Sequence, residues 1–321
     1  SNVNGSTWIY IAIRRGTKVP ESGTEVFAPV FHNDDSSEIN VSGGFTADAF
    51  ISKRRGGSAT YMTPRLLGGQ TLRPNLTGSE VDYSANVAWD TQEGVNFTGW
   101  WSSVTDGIDW LWKRAPNFFD VVAYTGTGSA RTVSHNVLGV APEMMWIKRR
   151  DNTGVWAVYH SGVDTNSAED FYMLLNETDA RDDDARFWND TAPTDTVFTV
   201  GTHSQVNTSG ATYIAYLFAS LDGISKMGSY TGNGTSQNIE CGFTSGARFV
   251  ITKRTDAGGD WLVWDTVRGI TSGDDARLLL NDTQAEGSAD RIDPYSGGFA
   301  VTSDNNQTNG NGNTYIFYAI A

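Results

Sequence analysis

The residues that could act as acids, bases, nucleophiles or metal ligands are few, and none falls into a catalytic spacing. The 321-residue chain has one cysteine, Cys241, and four histidines: His32, His135, His160 and His203. No two histidines have the helical spacing of a metal-binding pair, no Gly-x-Ser-x-Gly elbow occurs, and one cysteine cannot build a zinc cluster. The sequence therefore gives no support to metal-assisted or serine-nucleophile catalysis.

Hydrolysis by other groups stays open as an alternative. Ser134 and His135 are adjacent, but a catalytic triad is defined by geometry in space, and the related stretch later in the chain has Glu240 and Cys241 there. A glycosidase needs two carboxylates across one cleft, and 37 acidic residues give no means of nominating a pair. We expect a non-enzyme without a cofactor, and we keep a polysaccharide-depolymerase tailspike as the less favoured alternative.

Charge and cysteine content restrict the partners and the compartment. The formal net charge is −14, so the chain would repel nucleic acid, and no apolar run reaches the roughly 18 residues of a membrane span. The acidic stretches 34–35, 182–184 and 274–275 lack the alternating spacing of an EF-hand loop, and we interpret them as solvated turns, with calcium binding as the alternative. Cys241 cannot form an intrachain disulfide. We expect it to be buried as a small apolar side chain in a protein assembled in a reducing cytoplasm.

Internal similarity determines how the chain is organised. A constant step of 105 residues relates three pairs: Lys148 and Lys253, Trp156 and Trp261, and Asn176 and Asn281. A constant step across several motifs indicates that one structural unit was duplicated. A more divergent copy precedes them, in which Lys53 stands 95 residues before Lys148 and Tyr61 is aligned with Trp156.

The copies predict the domain boundaries. We expect residues 17–116, 117–220 and 221–321 to form repeats 1, 2 and 3, each ending in a strand such as 212–218 or 314–320. Residues 7–13 resemble a further closing strand, and we assign residues 1–16 to an upstream repeat. The alternative is that this strand completes a neighbouring module.

The apolar pattern predicts strands throughout. The runs 212–218 and 314–320 are continuously apolar, aromatic and β-branched, which is typical of strands buried on both faces. Turn residues at 151–154 and 256–259 separate pairs of such runs and predict hairpins. We therefore expect an all-β fold, a tandem array of three antiparallel β-sandwich repeats of roughly 100 residues each. Trp156 and Trp261 are expected to be core anchors rather than sugar platforms, and the recurring Lys-Arg pair is expected to be a solvated hairpin end.

Several motifs together resemble a known family. Residues 118–136 (FFDVVAYTGTGSARTVSHN), 138–145 (LGVAPEMM) and 188–193 (WNDTAP) resemble the repeated β module of tail fibre proteins from marine tailed phages of the cyanophage and pelagiphage type. Residues 10–27 resemble a junction between two such modules. The resemblance is close in 118–321 and looser in 28–105. It implies a virion tail protein, assembled in the host cytoplasm, with host cell-surface glycans or proteins and other tail proteins as partners. It also implies a homo-oligomer, a trimer.

Two functions from different classes follow from this resemblance. The first is host recognition by a receptor-binding protein, and the second is a structural role as a fibre shaft or capsid decoration. Trp100 and Trp101 are the candidate ligand-binding residues, because they interrupt the pattern of the copies and adjacent strand residues point to opposite faces. The alternative is that both indoles fill a gap in the divergent first repeat or pack against a neighbouring subunit.

Overall fold

The chain folds into antiparallel sheets, and the expectation of an all-β fold is confirmed. The structure is a computed structural model, and it describes residues 17–32, 38–99, 105–302 and 304–321. Within these ranges the helices are short. They are α1 (Ala185–Trp188), α2 (Ser204–Asn207) and the 3-10 turns Gly23–Glu25, Arg65–Leu67 and Ala168–Asp170.

The described residues of the first segment, 17–32, 38–99 and 105–116, form nine strands. They are β1 (Phe27–His32), β2 (Glu38–Ser42), β3 (Ala49–Arg54), β4 (Tyr61–Pro64), β5 (Gln70–Thr71), β6 (Val81–Asp82), β7 (Val87–Ala88), β8 (Gly94–Thr98) and β9 (Gly107–Trp112). The main sheet has the order β1-β9-β3-β4, and β2-β8-β7 and β5-β6 form two smaller sheets.

The second segment, residues 117–220, contains eight strands. They are β10 (Phe119–Thr125), β11 (Arg131–Ser134), β12 (Met144–Arg149), β13 (Trp156–His160), β14 (Phe171–Leu174), β15 (Asp182–Asp183), β16 (Val197–Val200) and β17 (Thr212–Phe218). The main sheet has the order β10-β17-β12-β13-β14-β15, and β11 pairs with β16 in a smaller sheet.

In the third segment, residues 221–321, the described part of the chain forms nine strands. They are β18 (Ser225–Thr231), β19 (Gln237–Glu240), β20 (Phe249–Arg254), β21 (Leu262–Asp265), β22 (Asp275–Leu279), β23 (Gly287–Ala289), β24 (Ile292–Tyr295), β25 (Gly298–Val301) and β26 (Thr314–Ile320). The main sheet, β18-β26-β20-β21-β22-β23, has the strand order of the second segment, and β19-β25-β24 form a smaller sheet. The predicted hairpins β12–β13 and β20–β21 are both present.

Each central strand is buried on both faces, as its continuous apolar sequence predicts. In β26, Ile316 and Tyr318 belong to a large cluster that includes residues of all three segments. The alternate residues Phe317 and Ala319 belong to a second cluster within the third segment. Because neighbouring residues of a strand point to opposite faces, one face of the sheet lies against the shared core and the other against the smaller sheet.

The shared core joins the three segments through aromatic side chains. The ring centroids of Phe218 and Tyr318, from the second and third segments, lie 5.3 Å apart. The rings of Trp112 and Phe249, from the first and third, lie 5.7 Å apart in an edge-to-face arrangement. Such geometry is favourable for aromatic pairs. The segments therefore share one core in addition to the packing inside each segment.

Candidate binding cleft between the second and third segments

The recurring lysine is buried, so the expectation that it is a solvated hairpin end is wrong. Lys53, Lys148 and Lys253 are each at most 1% exposed, whereas the arginine that follows is exposed in the first segment and half-buried in the other two. Every one of the three ammonium groups donates to a main-chain oxygen of another segment: Lys148 to Thr77 (3.2 Å), Lys253 to Thr178 (2.8 Å) and Lys53 to Asp282 (2.7 Å). Burial lowers the pKa of each lysine to about 8. The lysine is thus a joining element between segments.

Main-chain hydrogen bonds follow the same pattern around the molecule. Three amides donate to a carbonyl of another segment: Glu80 to Arg150 (2.9 Å), Arg181 to Thr255 (2.9 Å) and Glu286 to Arg55 (2.7 Å). These bonds link the first segment to the second, the second to the third, and the third back to the first. The three segments therefore form a closed ring, and we call each of these contacts a junction.

Trp156 and Trp261 are fully buried, which confirms that they are core anchors. Their indole groups also reach across the junctions. Trp156 Nε1 donates to the main-chain oxygen of Arg73 at 2.9 Å, and Trp261 Nε1 donates to that of Leu174 at 2.9 Å. In both cases the acceptor belongs to the preceding segment. Each tryptophan therefore fills the core and also holds the preceding segment in place.

The first segment has a different residue at this position. Lys148 pairs with Trp156 in the β12–β13 register, and the register of β3 and β4, in which Ser52 pairs with Tyr61, places Thr60 opposite Lys53. The alignment of Tyr61 with Trp156 is therefore wrong by one residue, because the first hairpin is one residue shorter.

The asparagine motif survives in the first segment although its sequence context does not. Asn75 accepts the amide of Thr60 at 2.9 Å, as Asn176 accepts that of Trp156 and Asn281 that of Trp261, both at 2.8 Å. No leucine pair precedes Asn75, so sequence comparison missed it. The Asn-x-Thr pattern shared by residues 75–77, 176–178 and 281–283 is the signal that could have found it.

The junction between the third and first segments carries an additional ionic network. Trp110 Nε1 donates to Asp265 at 3.0 Å, and Arg268 contacts the same carboxylate at 2.7 Å. Arg268 also contacts Glu286 at 3.2 Å, and Glu286 binds Arg55 of the first segment at 2.6 Å. Asp265 and Arg268 are fully buried, so their pairing satisfies both charges at the closing contact of the ring.

A cleft of about 460 Å³ lies beside the junction of the second and third segments. This volume falls within the ~300–1,000 Å³ of ordinary ligand sites. The second segment supplies the loop 162–165 and Arg181, and the third supplies residues 229–231 of β18 and Thr314. Hydroxyl groups, one carboxylate and one guanidinium therefore face a common space between two segments.

Arg181 and Asp164 form the charged wall of this cleft. Arg181 donates to the main-chain oxygen of Val163 and lies 3.1 Å from an Asp164 oxygen, and its guanidinium stands 4.3 Å from the centre of the Phe171 ring. The amide of Asn166 and other donors lower the pKa of Asp164, so this carboxylate stays ionised. The pair offers donors and acceptors held at fixed positions, which is the chemistry that recognises sugar hydroxyls.

Tyr230 forms the aromatic part of the cleft. Its ring is stacked on Tyr315 with centroids 5.1 Å apart, and its hydroxyl donates to the main-chain oxygen of Thr308 at 2.6 Å. Burial raises the pKa of Tyr230 well above its usual value. The ring is thus locked in place and half-buried, so it can supply one apolar edge without moving.

The histidines do not meet at this cleft. His160 Nε2 lies 3.1 Å from the main-chain oxygen of Phe317, and burial lowers the pKa of His160 to about 4. His203 is stacked on Phe187 at 4.2 Å, and His32 Nδ1 lies 3.2 Å from Asp109 in a fully buried pair. None of these groups lines the cleft.

Trp100 and Trp101 lie outside the described residues, as does the strand expected at 7–13. Cys241 is buried, as expected, and burial raises its pKa to about 12. Among the described residues, no three His, Cys, Asp or Glu side chains come together to hold a metal ion. The same residues include no helix of the length and apolar character that a membrane span requires.

The comparisons with known proteins give one family. A family model described as a domain of unknown function, DUF7483, matches residues 24–321, so the match extends across all three segments. No curated protein matches the chain. The chain therefore belongs to the DUF7483 family.

Proposed function

We propose that this protein is a non-catalytic receptor-binding component of a phage tail fibre, and that the cleft between the second and third segments contacts a host surface glycan or protein. The observation that carries the proposal is a ligand-sized polar cleft with one wall from the second segment and one from the third. The buried ammonium of Lys253 joins these two segments through its hydrogen bond to Thr178. Binding to fixed walls orders few side chains, so little conformational entropy opposes it. The resemblance of 118–136 and 138–145 to tail fibre modules supports the location in the virion.

A matched pair of substitutions tests the cleft. Thr231 lines it at the end of β18, and Thr125 occupies the same register position at the end of β10 without lining it. Both side chains are exposed. We expect Thr231→Trp to reduce adsorption of the labelled protein to host bacteria by about tenfold or more, since it fills the space, and Thr125→Trp to leave adsorption unchanged.

The outcome of this test separates the functions. Wild-type adsorption by a folded Thr231→Trp variant would remove the cleft from the binding site. Replacing Trp100 and Trp101 with alanine in the same assay tests the site expected from the sequence. Release of reducing sugar from capsular polysaccharide by the wild-type protein would instead favour a depolymerase.

A structural role in the virion is the second candidate, and one observation favours it. Among the described residues, the exposed large apolar side chains all lie in the first segment: Val19, Phe31, Leu66, Leu76 and Val81. We propose that some of these side chains form a contact surface with another protein, since a contiguous exposed apolar patch marks such a surface. We propose other tail proteins, or further copies of the chain in a homotrimer, as its partners. Native mass measurement of the wild-type protein and of a Leu66→Asp variant tests this, because a trimer held by that surface should dissociate in the variant.

A further inference from the structure

Two arginines of the third segment face one small recess outside the cleft. Arg277 and Arg291 line it together with Leu262, Asn305 and Gln307, and its volume is about 50 Å³. A recess of this size holds several water-sized groups, since one water needs ~10–15 Å³ by the same measure. It is therefore large enough for one functional group of a ligand and too small for a whole sugar ring.

The side chain of Arg277 has no partner in the part of the chain that the structure describes. Among the described residues its guanidinium forms neither an ion pair nor a hydrogen bond, whereas the guanidinium groups of Arg149, Arg186 and Arg254 each pair with a nearby aspartate. A half-buried guanidinium has five N–H donors to satisfy. In a chain with a net charge of −14, a guanidinium without a carboxylate partner is available to an external anion.

The second arginine adds positive charge to the same recess. Burial and the neighbouring Arg277 lower the pKa of Arg291, while Asp290 and Asp274 act in the opposite direction. These two aspartates are exposed, so water screens them. A bound carboxylate or sulfate would relieve the repulsion between the two guanidinium groups and accept paired hydrogen bonds from them.

The surroundings hold the recess open. Gln307 accepts the amide of Asp260 at 3.1 Å and donates to the Asp260 carboxylate at 3.2 Å, so its side chain is fixed. Gly287 pairs with Arg277 across β22 and β23, and a Cβ at Gly287 would lie 3.4 Å from the Arg277 guanidinium carbon. The Arg277 guanidinium therefore lies close over the backbone of Gly287.

Arg277 replaces the tyrosine found at the corresponding position of the second segment. Tyr172 stands 105 residues before Arg277, and its ring is stacked on Phe187 at 3.8 Å. The position therefore packs against an aromatic ring in one segment and presents a charge in the other. A residue that has left the packing role of its counterpart is available for recognition.

We propose that Arg277 and Arg291 form an anion site that takes a carboxylate or sulfate group of an acidic polysaccharide. The site shares no residue with the cleft, so its test does not depend on the cleft's proposed role. The two guanidinium groups hold the oxyanion, and the amide groups of Asn305 and Gln307 define the edge of the recess.

Titration of the full chain with two anions and a neutral sugar tests the proposal. The probes are potassium glucuronate, sodium sulfate and glucose at constant ionic strength, followed by NMR of the arginine side chains and by calorimetry. We expect saturable binding of at least one anion and none of glucose. Arg277→Gln should weaken that binding by about tenfold or more, because a charge-assisted pair is lost. Arg186→Gln, at an exposed arginine of the second segment, should leave it unchanged.

Each result decides the question. Binding of glucuronate alone assigns the site to uronic acids, and binding of sulfate alone assigns it to sulfate esters. Absence of saturable binding of either anion, or equal affinity in wild type and Arg277→Gln, overturns the proposal. Arg277→Lys serves as the second variant. It keeps the charge and loses the paired geometry, and a drop in affinity with unchanged melting temperature separates binding from folding.

Discussion

The ammonium of Lys253 lies 2.8 Å from the main-chain oxygen of Thr178, a residue 75 positions earlier and in another segment. The same ammonium forms no ion pair with a carboxylate in the described part of the chain, and it also donates to the main-chain oxygen of Gly259 at 2.5 Å. A charge satisfied by carbonyl dipoles alone is less stabilised than one in an ion pair. The junctions are therefore sensitive to the protonation of their lysines.

We predict that the stability of the protein rises with pH between about 8 and 10. The pKa of each junction lysine is lowered to about 8 in the folded state, against an ordinary value of 10.5, so the unfolded chain binds more protons in this window. Lys253→Met should remove about 1–2 kcal/mol of the rise between pH 7.5 and 9.5 in urea unfolding. Lys18→Met, at an exposed lysine, should not. The same slope in Lys253→Met and wild type would contradict the argument.

The cross-junction indole bond should be measurable against a neighbouring tryptophan. Trp261 and Trp264 are both fully buried, but only Trp261 donates its N–H, whereas Trp264 Nε1 has no partner among the described residues. Both Trp→Phe changes lose similar apolar area. Trp261→Phe should therefore cost about 1–2 kcal/mol more than Trp264→Phe in chemical denaturation, because Leu174 loses its donor. Equal losses would mean that the bond contributes nothing to stability.

Removing one partner of the buried ionic network between the third and first segments should strongly lower the free energy of unfolding. Arg268→Met leaves the fully buried Asp265 carboxylate with two neutral donors, the Trp110 indole and the main-chain amide of residue 268, and with an uncompensated charge. We expect a loss of about 3–5 kcal/mol in the free energy of unfolding. Arg54→Met breaks an exposed pair with Asp106 and should cost about 1 kcal/mol or less. A loss for Arg268→Met no larger than that of Arg54→Met would show that the network is not a joining element.

Asp275 should oppose folding at neutral pH. It is buried, and burial raises its pKa to about 6, so the folded protein binds more protons than the unfolded chain between roughly pH 4 and 6. Its unfavourable contribution is present above pH 6 and disappears as the pH falls toward 4. Asp275→Asn should keep the acceptor for the Thr271 amide and stabilise the protein by about 1 kcal/mol at pH 7. The gain should vanish near pH 4, and a gain that does not depend on pH would refute the assignment.

Much of the local structure could be predicted from the sequence because it depends on local patterns. The strands 212–218 and 314–320, the two hairpins and the burial of Trp156 and Trp261 follow from apolar runs, turn residues and spacing. The lysines could not be placed in the same way. A hairpin end with Lys and Arg is usually solvated, and only contacts with Thr77, Thr178 and Asp282 show that it meets another segment.

The cleft and the anion recess were beyond sequence reasoning for a similar reason. Asp164 and Arg181 are 17 residues apart, and Tyr230 belongs to another segment, so no spacing connects them. Arg277 and Arg291 are ordinary charged residues until the sheet brings them to one recess. A single alignment error, Tyr61 in place of Thr60, arose because the length of a hairpin is not encoded by its apolar pattern.

The closed ring also determines how the molecule should lose its structure. In a linear array of units the terminal units have one neighbour each and can unravel first. Here the contacts of Lys53 with Asp282 and of Arg55 with Glu286 give the first and third segments two neighbours each, like the second. Opening any segment exposes two junctions and part of the shared core at once. We therefore expect partial unfolding to be disfavoured and the three segments to unfold together.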